Sequence, residues 1–320
     1  MTLQLISYGT RIRCGVYRVQ ARFTRAVNFV RGPALVALVT PDVGDGPINI
    51  VARTLTAVTD ASVLKVTRAH VILDGVAHPK RLLHRYSAAM HVGPAAAPVF
   101  MENLRHCEDV LRQQAPPHSM PQLLATPGRS RFAQCLATRL RRGMRQLQRG
   151  EFAAGAGTLK GLGYGLTPSG DDFLAGFLLG CRVIEKLRGM DLAAQRHTIL
   201  THALGGNLLS NAFLYCASEG QPFACTRNLI CALARPDAAT VRACTEHLLA
   251  VGATSGADTA MGFLAAAGKS PNPPAAWRDG PSTARGTAAA EKSPGAPPAR
   301  HARLPLQKEV PRLGEGRDLQ

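Results

Sequence analysis

The sequence predicts an α+β protein in three parts. Residues 1–97 read as an antiparallel β-rich domain, a sheet or small barrel. Residues 98–268 read as an α-helical domain, and residues 269–320 as a disordered tail. Three observations predict this. Short apolar runs separated by turn-forming residues fill the stretch from about 14 to 92. After Pro98 the apolar spacing lengthens to the three-and-four step of helices. From Lys269 no apolar period survives among Pro, Ala, Gly, Arg and Ser.

The strands follow from local pattern. Residues 34–39 form an apolar, strand-like run. Residues 48–51 form a second, after the turn-rich Pro41-Asp42-Val43-Gly44-Asp45-Gly46-Pro47. Residues 63–73 and 76–78 flank Asp74-Gly75, and Asp-Gly between apolar runs is a strong hairpin signal. Helices are predicted over 99–114, 131–148, 169–187, 192–204, 208–219, 226–234, 238–251 and 255–267. The helix at 131–148 is amphipathic, with Phe132, Leu136, Leu140 and Leu147 on one side and Arg141, Arg145 and Arg149 on another. Gly189, Gly205-Gly206, Gly220 and Pro236 punctuate the gaps. Asp237 and Asn207 stand where helix N-caps belong.

Composition narrows the function. The formal net charge is +17, and the densest basic run, Arg129 to Arg149, holds seven Arg and no acid. Such a field favours anionic partners: phosphate-bearing metabolites, nucleic acid or an acidic protein surface. Aromatics make up only 5% of the chain, and no nucleic-acid reading motif occurs, which argues against nucleic acid. The eight Cys lack zinc spacing and read as free thiols of a reducing compartment. No stretch is apolar for long enough to span a bilayer, and the N-terminus lacks a secretory core, so a cytoplasmic protein is expected.

One ten-residue phrase, Ser-Gly-x-Asp-x-x-x-Gly-Phe-Leu, occurs twice, from Ser169 to Leu178 and from Ser255 to Leu264. Each copy follows a Gly/Thr-rich loop, Gly161 to Pro168 first and Gly252-Ala253-Thr254 second. A glycine-rich loop feeding a helix start exposes backbone amides at the positive end of a helix dipole, which suits an anion. A plainer reading exists: Ser169 with Asp172, and Ser255 with Asp258, have capping-box spacing. The repeat nevertheless runs on through Gly176 and Gly262, and an interior helix glycine costs roughly 1 kcal/mol against Ala. These glycines therefore point to close helix approach. Gly161, Gly163 and Gly165 permit positive φ and close backbone approach to a ligand. Asp171 and Asp172 suit the dipole, or hold a divalent cation such as Mg2+ together with substrate phosphates; Lys160 is a candidate counter-charge. Asn28 and the loop from Asp42 to Asn49 form a second polar cluster, either a turn or a loop closing over the site. No Walker, nucleophile-elbow, zincin or dinucleotide signature is present.

The run Gly163-Tyr164-Gly165-Leu166-Thr167-Pro168-Ser169-Gly170-Asp171-Asp172-Phe173-Leu174-Ala175-Gly176 resembles the signature of a bacterial family otherwise described as a domain of unknown function. One branch of that family is the third subunit of oxamate carbamoyltransferase, in anaerobic allantoin (purine) degradation. The run Gly252 to Asp258 resembles its second signature. Arg25-Ala26-Val27-Asn28 and the turn through Gly46-Pro47 to Asn49 resemble its N-terminal pattern. The likeness covers about 14 to 267. It implies reversible phosphorolysis of oxalurate to oxamate and carbamoyl phosphate, carried out with two partner subunits. Carried onto this chain, it implies phosphate, oxyanion or substrate contact at Gly163, Gly165, Thr167, Ser169, Gly170, Thr254, Ser255, Gly256, Asn28 and Asn49. Asp171, Asp172 and Asp258 are the implied catalytic groups, with Asp171 or Asp172 the metal ligand if a metal takes part. Two other readings stay open: a non-catalytic assembly subunit, and a Mg-dependent enzyme using a nucleotide or phosphate.

Overall fold

A computed structural model describes residues 3–268; the predicted disordered tail lies outside the described residues. The chain opens with nine strands: Leu5–Tyr8 (β1), Gly15–Arg22 (β2), Ala26–Arg31 (β3), Ala34–Val39 (β4), Asn49–Ala52 (β5), Val63–Val66 (β6), His70–Leu73 (β7), Val76–Pro79 (β8) and His84–Arg85 (β9). They form one sheet in the order β8-β7-β6-β2-β3-β4-β5-β1-β9. It curls into a half-barrel. Six pairings are antiparallel, as the sequence predicts. Two are parallel, β4–β5 and β1–β9, so the sheet is mixed.

The β7–β8 hairpin turns at Asp74-Gly75, where φ is 48° and 84°. Two successive positive φ values are what a tight hairpin asks for, and Asp and Gly tolerate them best. The predicted run 63–73 is in fact two strands, parted by a turn in which Thr67 Oγ1 accepts from the His70 amide at 2.9 Å. β4 is an unbroken apolar run because both its faces are buried. On one face Val36 and Leu38 join Val27, Phe29, Ile50, Tyr17 and Leu64 inside the half-barrel. On the other, Leu35, Ala37 and Val39 cluster with Leu209 and Phe213 of the helix Leu208–Ser218 and with Phe223, just before the helix Ala224–Leu233.

Ten α-helices follow among the described residues: Ala97–Gln114 (α1), Met120–Ala125 (α2), Arg131–Gln148 (α3), Phe152–Leu159 (α4), Ser169–Arg188 (α5), Ala193–Ala203 (α6), Leu208–Ser218 (α7), Ala224–Leu233 (α8), Ala238–Leu249 (α9) and Ser255–Ala267 (α10). The apolar stripe of α3 is buried at Leu136, Leu140 and Leu147. Phe132, predicted on that stripe, is instead exposed. Arg141 does not stay with the solvated arginines but donates to the Leu124 carbonyl at 2.6 Å, closing the C-terminal end of α2. Asp237 and Asn207 cap α9 and α7 as their positions predict. α5 is buried on every side along most of its length, which makes it the central helix. No described helix is long and apolar enough to cross a membrane.

Candidate functional site

α5 and α10 lie side by side and run in the same direction, and glycines permit their approach. A Cβ on Gly176 would stand 1.9 Å from the Thr259 carbonyl oxygen, and a Cβ on Gly262 would stand 1.9 Å from the Phe173 carbonyl oxygen. Phe173 and Thr259 hold equivalent places in the repeated phrase, as do Gly176 and Gly262. The contact is reciprocal, as in a pseudo-two-fold pair. The equivalence reaches back into the preceding loops. The Gly170 amide donates to Leu162 O at 2.7 Å and the Gly256 amide to Val251 O at 3.1 Å. A Cβ on Gly170 would meet Leu159 O at 2.0 Å, and one on Gly256 would meet Leu248 O at 1.8 Å. A helix–glycine turn–helix unit therefore occurs twice, as α4–α5 and as α9–α10.

Parallel packing brings two helix starts together. Thr167 Oγ1 and Ser255 Oγ are hydrogen-bonded at 3.0 Å. Two positive dipole ends meet at one point, and the first turns there hold Asp171 and Asp172 on α5 and Asp258 on α10. The serines are not caps. Ser169 and Ser255 are the first helical residues, after Pro168 and Thr254, and neither helix has a side-chain cap bond. The capping-box reading is thereby corrected.

The neighbouring aspartates do different work. Asp171 Oδ1 accepts from the Gly161 amide at 2.7 Å and fixes the glycine loop. Asp172 Oδ2 accepts from Thr167 Oγ1 at 2.9 Å. Burial lifts the Asp172 carboxyl well above the usual carboxylate range; the Ser255 and Thr167 hydroxyls draw it part of the way back, and Asp258 and Asp171 push it up again. Asp258 Oδ1 accepts from the Met120 amide at 2.5 Å, which ties α10 to α2. Burial raises its carboxyl to about 6, against the pull of the Met120 amide and of Ser169 and Thr254. Asp258 Oδ2 and Ser169 Oγ have no hydrogen-bond partner among the described residues, although the hydroxyl lies near enough to act on the carboxyl.

A cavity of about 610 Å3 opens between the sheet and these helix starts. Of the sequence-predicted residues, Asn28, Asn49, Gly165, Thr167, Asp172, Thr254, Ser255 and Gly256 line it. Asn28, Ala37 and Asn49 are partners in register across β3, β4 and β5, which puts both asparagines on the cavity face. The Asn49 side chain donates to Gly44 O at 2.9 Å, whereas the Asn28 carboxamide has no partner among the described residues. Gly163, Ser169, Gly170, Asp171 and Asp258 lie outside the lining. Gly163, at φ 118°, lets the loop fold onto Ser169, whose amide would be 2.6 Å from an added Cβ.

Sequence reading missed the place of Arg25 in the site, although it quoted that residue in the N-terminal pattern; Arg25 is the one Lys or Arg in the described lining and pairs with Asp42 at 3.2 Å, where both are more than half exposed. It also missed the apolar wall of Val39, Val43, Leu209, Phe213 and Phe223. The expected open amides are largely taken. Gly170 and Gly256 donate to loop carbonyls, and Asp171 and Asp172 donate to Pro168 O. The polar chemistry of the cavity rests on side chains. Asp171 and Asp172 face different partners, and no group of three His, Cys, Asp or Glu among the described residues is placed to hold a metal. Lys160, the suggested counter-charge, is exposed and outside the lining.

Half-barrel, glycine-packed helix pair and interposed cavity together define an α+β protein with a pre-formed cavity in the size range of small-molecule sites. Residues 159–267 match the model of the family described as Oxamate carbamoyltransferase subunit AllH. The match takes in both copies of the repeated phrase and leaves the sheet outside. The description is that of a subunit, which implies a multi-subunit complex. No curated protein and no solved structure matches the chain.

Proposed function

We propose that this chain is the part of an oxamate carbamoyltransferase that holds oxamate or its carbamoylated form, oxalurate, with two partner subunits completing the enzyme. The observation that carries the reading is the meeting of Thr167, Ser255 and the buried Asp172 in a cavity also lined by Asn28 and Arg25. A carboxamide acid presents an amide and a carboxylate. The unpartnered Asn28 carboxamide suits the amide. Arg25, held only by an exposed ion pair of small worth, suits the carboxylate. Burial disfavours the charged form of Asp172 and so lessens its repulsion of an anionic ligand. Few amides are open and one cation lines the cavity, so the dianionic phosphate of carbamoyl phosphate is assigned to the partner subunits.

In phosphorolysis a phosphate oxygen bonds to the carbamoyl carbon of oxalurate while its bond to the oxamate nitrogen breaks. That nitrogen must gain a proton. Burial shifts the Asp172 carboxyl toward its protonated form, so Asp172 is the group assigned to deliver it, and in the reverse direction to take it back. Thr167 and Ser255 orient the carboxyl. The test is turnover of the assembled complex with Asp172→Asn, which keeps the shape and loses the proton. The reading expects a loss of about 10²–10⁴-fold with oxamate binding retained. Wild-type turnover would refute it.

A further inference from the structure

We infer that the outer face of α3, with the aromatic cluster beside it, docks an acidic surface on another subunit of the carbamoyltransferase complex, next to the mouth of the cavity. The inference rests on the chain being such a subunit. Arg131, Arg139, Arg142, Arg145 and Arg149 are all exposed. None of them forms an ion pair among the described residues. Exposed arginines elsewhere in the molecule do find local acids: Arg112 pairs with Glu108 and Asp109, and Arg242 with Glu246. At α3 there is no such acid, because the run from Arg129 to Arg149 contains none. The helical step of 100° per residue puts these five arginines on one side of the helix. Arginines three and four apart on one face repel, and no acid among the described residues pairs with them to offset that repulsion.

The second observation is apolar. Phe132, at the start of the same helix, is 64% exposed. Its ring meets Tyr164 with centroids 6.0 Å apart, and Tyr164 meets His118 at the same distance. Leu166, 60% exposed, lines the cavity two residues beyond Tyr164. Arginine beside exposed aromatics is the composition of interface centres. The inner face of α3 is buried, and a Cβ on Gly143 would stand 2.5 Å from Leu159 Cγ, so the outer face sits on a packed base. A protein surface bearing Asp and Glu matches the charge. Docked there, it would stand beside the cavity mouth, where a carbamoyl group has to arrive.

The experiment uses the full chain and the companion carbamoyltransferase subunits of the same organism. Association is measured by sedimentation at low and at raised NaCl. Wild type is compared with the triple variant Arg139→Glu, Arg142→Glu, Arg145→Glu, and separately with Phe132→Ala. Wild type should associate, more weakly as salt rises. The triple variant should lose at least tenfold in affinity and Phe132→Ala severalfold, with melting curves like wild type. Should the triple variant not fold, Arg142→Gln together with Phe132→Ala makes the same comparison. Undiminished association of the variants overturns the inference. So does a wild-type chain that ignores the companion subunits, that binds duplex DNA through these arginines instead, or that uses this face only to pair with a second copy. Oxamate binding by the isolated chain is measured in parallel. If it is absent while assembly depends on α3, the ligand reading fails and the docking face stands; the opposite pattern removes the docking face alone.

Discussion

Thr167 and Ser255 lie 88 residues apart in the chain and 3.0 Å apart in space. The loop that opens α5 is thus bonded to the first residue of α10, and the floor of the cavity belongs to both halves of the repeat. Thr167 also donates to Asp172, so one hydroxyl links the two helix starts and the buried carboxyl. Thr167→Val keeps the volume and removes both bonds. It should cost about 1–3 kcal/mol in urea unfolding. Because the Thr167 hydroxyl lowers the Asp172 pKa, its loss should move that carboxyl further up, observable in a pH titration followed by NMR.

Glycine placement gives a stability contrast. Gly176→Ala or Gly262→Ala drives a methyl into a facing backbone carbonyl that cannot rotate away. Either should cost about 1–3 kcal/mol, or more if the helices part. Gly157, in α4, faces open space. Gly157→Ala should be neutral or stabilising by up to about 1 kcal/mol, since helix propensity is all that changes. Thermal melts of the three variants check this, and equal melting temperatures would remove close helix packing as the reason for the repeated glycines.

Stability should also depend on pH through Asp258. Its folded pKa is raised to about 6 from the ordinary 3.8. The folded state therefore binds the proton more tightly than the unfolded one. The resulting stabilisation is full below the unfolded value and is lost as pH rises through about 6. Asp172 is shifted the same way. Relative to Asp258→Asn, wild type should gain on the order of 3 kcal/mol when pH falls from 7.5 to 4. Parallel stability curves for the two proteins would contradict this.

The adjacent aspartates should separate in experiment. Asp171→Ala strips the acceptor from the Gly161 amide and should lower stability by about 1–3 kcal/mol. Asp172→Ala should act on the cavity instead, weakening oxamate binding by roughly tenfold or more. Calorimetric titration beside thermal melts resolves the two effects.

Periodic segments were the legible part of the fold. α3 and α10 span the predicted residues, because an amphipathic stripe and a Gly-Ala-Thr lead-in mark their ends. α4 escaped, since Phe152–Leu159 is mostly Ala and Gly and shows no apolar period. α2 escaped because six residues are too few for one. The parallel β4–β5 pairing has no local signal at all. In the site, the repeat marked Asp172 and Ser255, the loop before its first copy marked Thr167, and the N-terminal pattern marked Asn28 and Asn49. What spacing could not convey was direction. Asp171 and Asp172 look alike in a string, yet one holds a loop amide and the other lines a cavity. Phe213 and Phe223 reach the cavity through sheet-to-helix packing, which no local pattern encodes, and Arg25 stood in the N-terminal pattern without a sign that it faces the cavity.

The central claim is that the shared floor built by Thr167, Ser255 and Asp172 seats a small carboxamide acid. Calorimetric titration of oxamate into wild type, Thr167→Val and Ser255→Ala tests it most directly, with inorganic phosphate as the comparison ligand. The account predicts that wild type binds oxamate in preference to phosphate and that each variant loses roughly tenfold, the worth of a hydrogen bond or two. Wild-type affinity in both variants, or no heat from oxamate with the wild-type chain, would contradict it.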